Sequence, residues 1–241
     1  MYILAGCLFA QSTMWDKDEI NAFYGIGNNH LLDEYISKNE YSGVSSLGGI
    51  YWLHTNAKNQ TRVGFIYSTA SNLENLNNRA ATYDFQMDYQ HLYSICKTTL
   101  FDKPLNLYLG PDFGFYLHYR NQKIAASLAL SVAALFSANA AMNAECRLSD
   151  KFSVSGNLLL SALSFTVRTP SLEDTNNIPT PVALLPIPNV LNLNAGLFTT
   201  YNINGWINLQ CGYRFVFMKI SKWDYFRQLN DNLIFQCGVN L

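Results

Sequence analysis

LNLYLGPDFGFYLHYR, residues 105–120, alternates along its whole length. Leu105, Leu107, Leu109, Pro111, Phe113, Phe115, Leu117 and Tyr119 hold the odd positions. Asn106, Tyr108, Gly110, Asp112, Gly114, Tyr116, His118 and Arg120 hold the even ones. Successive side chains of a strand point to opposite faces, so a period of two marks a strand with one apolar and one polar face. The run is far longer than the usual strand of about five or six residues. Its apolar face is turned either to a protein core or to lipid, and the rest of the sequence decides which.

The same pattern recurs. In TYDFQMDYQHLYSICK (82–97), Tyr83, Phe85, Met87, Tyr89, His91, Tyr93 and Ile95 alternate with a polar set that begins Asp84, Gln86, Asp88, Gln90. In WINLQCGYRFVF (206–217), Ile207, Leu209, Cys211, Tyr213 and Phe215 alternate with Asn208, Gln210, Gly212 and Arg214. The final stretch sets Leu233, Phe235, Cys237, Val239 and Leu241 against Asn232, Gln236, Gly238 and Asn240. Ten strands are predicted, over 19–27, 43–55, 61–70, 81–97, 105–120, 126–147, 152–168, 190–203, 206–220 and 231–241. The polar faces carry Asn, Gln, Asp, Arg and Gly, where a packed soluble core would need apolar side chains. The apolar faces are therefore assigned to lipid and the polar faces to a lumen. A closed sheet leaves no backbone group unpaired in hydrocarbon, which is what allows strands to cross it. Pro111 has no N–H to give to the ladder, so a bulge is predicted there.

One segment resists this reading. AASLALSVAALFSANAAMNA (125–144) is Ala-rich and long enough for a membrane helix. Read as a strand, it turns Leu128, Leu130, Val132, Phe136 and Met142 to lipid and Ser131, Ala133, Ser137, Asn139 and Asn143 inward. The strand is preferred, because a lone helix among strands would break closure.

The connections carry a second signal. NAKNQ (56–60), LFDKP (100–104), LSDK (148–151) and the turn at Asn204-Gly205 are short; Gly and Asn accept the positive φ of a tight turn. Segments 28–42, 71–80, 169–189 and 221–230 are longer, with a shorter one near 121–125. Short and long connections alternate, the layout of barrels with short periplasmic turns and longer extracellular loops.

Composition agrees. Of 241 residues, 49% are apolar and only 14% charged, against a usual charged share of about 25%. A net charge of −1 argues against a nucleic-acid partner, and the apolar content argues against disorder. The five cysteines show no zinc-like spacing, and no motif implies a metal or any other cofactor. MYILAGCLFAQ looks like the end of a secretory signal, cut after Ala10. Leu4-Ala5-Gly6-Cys7 also resembles a lipoprotein box. On the first view residues 1–10 are a signal remnant and 11–241 the barrel domain.

These residues resemble the small outer-membrane β-barrel proteins of Gram-negative bacteria: an exported leader ending LFAQ, strands apolar outside and polar inside, and Tyr and Trp near strand ends. The resemblance implies an all-β, closed antiparallel up-and-down transmembrane barrel of about ten strands (eight to twelve), located in the bacterial outer membrane. Tyr51, Trp52, Tyr119, Tyr201, Trp206 and Trp223 are its girdle candidates. It also implies membrane lipid and the outer-membrane assembly machinery as partners, with an extracellular ligand or protein as a further candidate.

Candidate chemistry centres on Asp84 and His118. A plain hairpin at LFDKP gives pairing positions that sum to about 202, which sets the two opposite each other on the lumen face near the extracellular rim. Such a pair can polarise a water for attack on an amide or ester, as in the ten-stranded omptin proteases; otherwise it is an ion pair that fills the lumen. A serine lipase is the other hydrolase class, but none of His30, His54, His91 and His118 lies in a distinctive motif. Arg62, Asp88, Asp112, Arg120, Glu145, Arg147, Arg168 and Arg214 are predicted lumen charges, either a plugging network or the lining of a narrow pore. In the loop 171–189, Val182, Leu184, Leu185 and Ile187 form a predicted apolar surface patch. Three functions stay open at this point: a structural, surface-interacting or narrow-pore barrel; an omptin-like or lipase-like hydrolase; and a soluble lipocalin-like periplasmic barrel with the faces reversed.

Overall fold

A computed structural model describes residues 17–34, 37–75, 78–124, 127–169, 182–187, 189–221 and 225–241. The leader, Trp223 and residues 171–181 of the apolar loop lie outside them. The described chain is strand apart from its turns: β1 (Lys17–Asp33), β2 (Ser37–Thr55), β3 (Asn59–Asn75), β4 (Asn78–Leu100), β5 (Lys103–Ile124), β6 (Ser127–Arg147), β7 (Phe152–Thr169), β8 (Val182–Pro186), β9 (Val190–Asn202), β10 (Ile207–Ile220) and β11 (Phe226–Asn240). Each strand pairs antiparallel with its neighbour, and β1 closes on β11, from Glu19↔Asn240 to Asp33↔Phe226. β8 covers the upper part of β7 (Leu163↔Pro186) and β9 the lower part (Leu160↔Leu193), so the two act as one interrupted stave. The barrel therefore has ten staves.

One end carries the start of β1, the end of β11 and the tight turns; it is called the lower end here. Local chemistry makes these turns. Asn56 Oδ1 accepts from the backbone N–H of Lys58 (2.9 Å) and Asn59 (2.8 Å), and Asn204 Oδ1 accepts from Trp206 (2.9 Å) and Ile207 (2.8 Å). Phe101 and Asp102 both have positive φ (50° and 61°), the twist a two-residue hairpin needs.

The outer face carries an apolar band. Ile20, Tyr24 and Ile26 of β1, Val63, Phe65 and Tyr67 of β3, and Leu209 and Tyr213 of β10 all point outward and are exposed. An aromatic ladder crosses four strands: Phe65–Phe85 at 4.6 Å, Phe85–Phe115 at 6.3 Å and Phe115–Phe136 at 4.7 Å between ring centroids. Tyr83 and Tyr119 pair near its upper edge; Trp52 and Trp206 mark its lower edge. Tyr51, expected in the girdle, turns into the lumen instead, where its hydroxyl accepts from Gln236 Nε2 (2.5 Å). In β2 the outward parity belongs to its neighbour, Trp52.

The Ala-rich segment is a strand from Ser127. Phe136 and Met142 point outward, while Ser131, Ala133 and Asn139 are buried inside. The bulge expected at Pro111 is absent. The β4–β5 ladder lacks the rungs opposite Gly110 and Pro111, resumes in the same register at Tyr93↔Leu109, and shifts only at Ser94/Cys96. The strand thus accommodates the missing donor by opening two rungs locally.

The upper connections differ from expectation. Segments 28–42 and 71–80, read as loops, are largely ladder, since β1, β2, β3 and β4 run on to Asp33, from Ser37, to Asn75 and from Asn78. In these extensions the polarity of the faces reverses. Lys38 and Glu40 point outward, and Tyr41, Leu31 and Leu73 are fully buried inside. They join Ala133, Leu135, Leu185, Val190, Ile220 and Phe226 in one apolar cluster across the upper lumen. Below the girdle the wall separates lipid from a polar lumen; above it the wall encloses a packed core in which apolar side chains surround a few buried polar ones.

Candidate functional site

Three levels stack inside the barrel. The lowest is an open polar cavity of about 250 Å³, reaching from Lys17, Glu19 and Thr55 at the lower rim to Arg214 at its inner end. Its charges are largely matched. Arg62 lies 2.9 Å from Asp88, and Lys17 lies 2.6 Å from Glu19. Asp88 has room because its cross-strand neighbours on both sides are Gly64 and Gly114. A Cβ on Gly64 would lie 2.8 Å from the carboxylate. Amides fill the rest: Gln236 Nε2 donates to Asn21 Oδ1 (3.1 Å), Asn208 Nδ2 to Glu19 (2.8 Å) and Asn143 Nδ2 to Gln60 (2.7 Å). Asp112 sits beside this level and accepts from Asn139 (2.6 Å). Glu145 lines the cavity.

The middle level holds the Asp84–His118 pair. The two residues are cross-strand partners, and Asp84 Oδ1 lies 2.5 Å from His118 Nδ1. Asp84 Oδ2 also accepts from Gln228 Nε2 (2.9 Å) and Ser68 Oγ (3.2 Å), and Tyr116 donates to Gln228 Oε1 (2.8 Å). The His118 ring is fully buried, edge-on to Phe226 at 5.2 Å, and its Nε2 has no partner among the described residues. The pair was expected near the rim. It lies instead deep in the barrel, beneath the apolar cluster, because β4 and β5 continue to Asn78 and Ile124 above it. The cavity at this level is about 40 Å³ and is lined by Asp84, Gln86, Tyr116 and Gln228; Arg214 separates it from the one below. That space holds about one or two waters, not a peptide.

The top level is a packed cluster of described residues. Above the Asp84–His118 pair, Arg120 is fully buried, 3.7 Å from Asp33 and stacked 5.0 Å from the Tyr41 ring, and it also bonds Gln122, which donates to Tyr41 (2.7 Å). The apolar cluster packs around this knot.

Of the predicted lumen charges, Arg62, Asp88, Asp112, Arg120, Glu145 and Arg214 do face the interior. Arg147 does not: it is exposed on the lower turn, 3.3 Å from Asp150, because β6 ends there. Arg168 pairs through its backbone with Ala133, and its side chain lies outside what is described. The apolar patch also needs correcting. Val182, Leu184 and Leu185 belong to β8 rather than to a loop. Leu184 is 61% exposed, but Leu185 is 1% exposed and packs in the upper cluster. Strand alternation sends the two to opposite faces; Ile187, just beyond β8, is exposed.

Sequence reasoning missed Tyr51, Tyr116 and Gln228 as partners in these networks. Their signal was parity: each stands on the inward face of its strand. Gln228 fell in a stretch read as loop. Among the described residues no group of three or more His, Cys, Asp or Glu side chains gathers as a metal site.

Ten closed antiparallel staves, an outward apolar belt and a polar lower lumen decide the class. This is the fold of the outer-membrane β-barrels. Comparison with solved structures agrees: the outer membrane protease OmpT from Escherichia coli matches over 96% of this chain and 99% of its own, with a TM-score of 0.54 at 10% identity. The translocator domain of autotransporter NalP from Neisseria meningitidis matches over 95% and 90%, with a TM-score of 0.46 at 12% identity. Ail, the attachment invasion locus protein of Yersinia pestis, matches over 95% and 100%, with a TM-score of 0.35 at 10% identity. At 10% identity the likeness to the protease concerns the fold alone. No protein-family model matches the chain, and no curated protein matches it by sequence.

Proposed function

We propose that this protein is a closed, non-conducting barrel of the outer membrane that acts through its surfaces. The lower end faces the periplasm, and the strand extensions of β1–β6 stand outside as a rigid wall. An extracellular ligand or protein docks on that wall, and the outer-membrane assembly machinery inserts the barrel. One observation carries this reading: Leu31, Tyr41, Leu73, Ile220 and Phe226, all with essentially no exposed surface, fill the upper lumen. A pore needs a continuous wet path, and a layer of fully buried apolar side chains opposes one.

The hydrolase reading has weaker support. A general base must come within hydrogen-bond reach of its substrate, directly or through one water. The buried His118 ring offers no such approach. Asp84, bonded by His118, Gln228 and Ser68, reads better as the centre of a packing network.

Planar-bilayer recording on the refolded chain tests the proposal. No steady conductance steps are expected. Regular steps at neutral pH would replace it with a narrow pore.

A further inference from the structure

The lower cavity is more specific than a wet lumen requires. Its volume, about 250 Å³, lies just below the roughly 300–1,000 Å³ of pockets that take drug-sized ligands, so it suits a single sugar ring. Beside apolar side chains such as Phe23, Leu159 and Phe198, its lining carries amides and hydroxyls, among them Asn157, Asn194, Thr200 and Gln210, which can donate and accept as vicinal hydroxyls require.

The charges are unevenly matched. Arg62 and Lys17 each have a carboxylate partner. Arg214, at the inner end, has none among the described residues. Its hydrogen bonds go to neutral amide oxygens, from Nε to Asn194 Oδ1 (3.2 Å) and from Nη2 to Gln86 Oε1 (3.4 Å), and the Asp88 carboxylate acts on it only from beyond ion-pair distance. A guanidinium has five N–H donors, so it keeps capacity for a planar carboxylate. Asn21 supplies an independent sign: it lines the cavity, is 1% exposed, and its Nδ2 has no partner among the described residues. A buried donor left unmet costs about 1–3 kcal/mol, and a ligand oxygen would satisfy it. Towards the mouth stands Glu145, within electrostatic reach of Lys17, Glu19 and Arg147.

We propose that this cup binds a small, hydroxyl-rich monocarboxylate, a sugar acid the size of a hexuronic acid. It enters from the lower end and sets its carboxylate against Arg214. The closed upper lumen proposed above gives the cup its blind end; conductance tests that closure, and binding tests this site.

The experiment is calorimetric titration of the refolded full chain in detergent with D-glucuronate, D-glucose and acetate. Glucuronate is expected to bind at least about tenfold more tightly than glucose or acetate, and Arg214→Gln to abolish that preference. Asn157→Phe, which fills the cavity, is expected to abolish binding altogether. Heat-modifiable mobility on gels shows whether each variant is folded; if neither is, the wild-type preference decides alone. Equal affinity for glucuronate and glucose, equal affinity for acetate, an unchanged preference in folded Arg214→Gln, or no binding of any probe would each overturn the proposal.

Discussion

The two halves of this barrel solve opposite solvent problems with one continuous sheet. In the lower half of β1, Ile20, Tyr24 and Ile26 face outward and Glu19 and Asn21 face inward. A few residues up the same strand, Asn28 and His30 face outward and Leu31 is buried inside. The parity of the strand never changes; only the chemistry on each face does. Lipid outside permits a wet polar lumen, whereas water outside requires a packed interior, here an apolar cluster closed around the Arg120–Asp33 pair. The contrast teaches that a long barrel strand is best read as two strands joined end to end, one for each surrounding medium.

The comparison can be broken at several points. The largest effect is expected at its boundary. Asp84→Ala leaves His118, Gln228 and Ser68 without their shared acceptor, and should destabilise the barrel by about 3–5 kcal/mol in urea titration followed by gel mobility. Replacing both Asp84 and His118 by Leu should cost less than Asp84→Ala alone, because the buried imidazole goes with its partner and only Gln228 and Ser68 lose an acceptor. Neither change should alter any hydrolytic activity.

In the upper half, Leu135→Ala removes a buried side chain from a layer that cannot collapse freely, and a loss of about 2–5 kcal/mol is expected by the same titration. In the lower half, Arg62→Ala strands Asp88 in a site that water reaches, so about 1–3 kcal/mol is expected. The smallest effect falls on the outer surface above the girdle. Arg227 and Glu40 form an exposed pair at 2.5 Å, and Arg227→Ala should change stability by less than about 1 kcal/mol. An Arg227 effect equal to that of Leu135 would mean that the upper wall is not held by its apolar interior.

The lower half was legible in the sequence because lipid and a polar lumen give the strongest contrast a strand can carry. Ten staves, the inward faces and the Asp84↔His118 register all follow from alternation and one tight turn. The upper half was not legible, for the reason the halves differ. Where apolar residues switch from the outer to the inner face, a window spanning the switch averages to no pattern, and 28–42 and 71–80 read as loops. β8 was hidden differently. Five residues that follow Pro181 and end in Pro186 look like an irregular segment, and the upper edge of β7 provides their ladder. The Asp84–His118 pair was visible, but not its depth. Burial of His118 depends on Phe226, at the start of a strand that sequence alone places five residues later.

The most direct test of the two-halves account is thiol accessibility. With the native cysteines replaced, Leu135→Cys and Asn157→Cys would be treated with a membrane-impermeant maleimide, first on intact cells and then on permeabilised ones. The account predicts that neither is labelled from outside, that Asn157→Cys is labelled once the periplasm is open, and that Leu135→Cys is protected in both. Labelling of Leu135→Cys on intact cells would contradict it, for the upper lumen would then be wet.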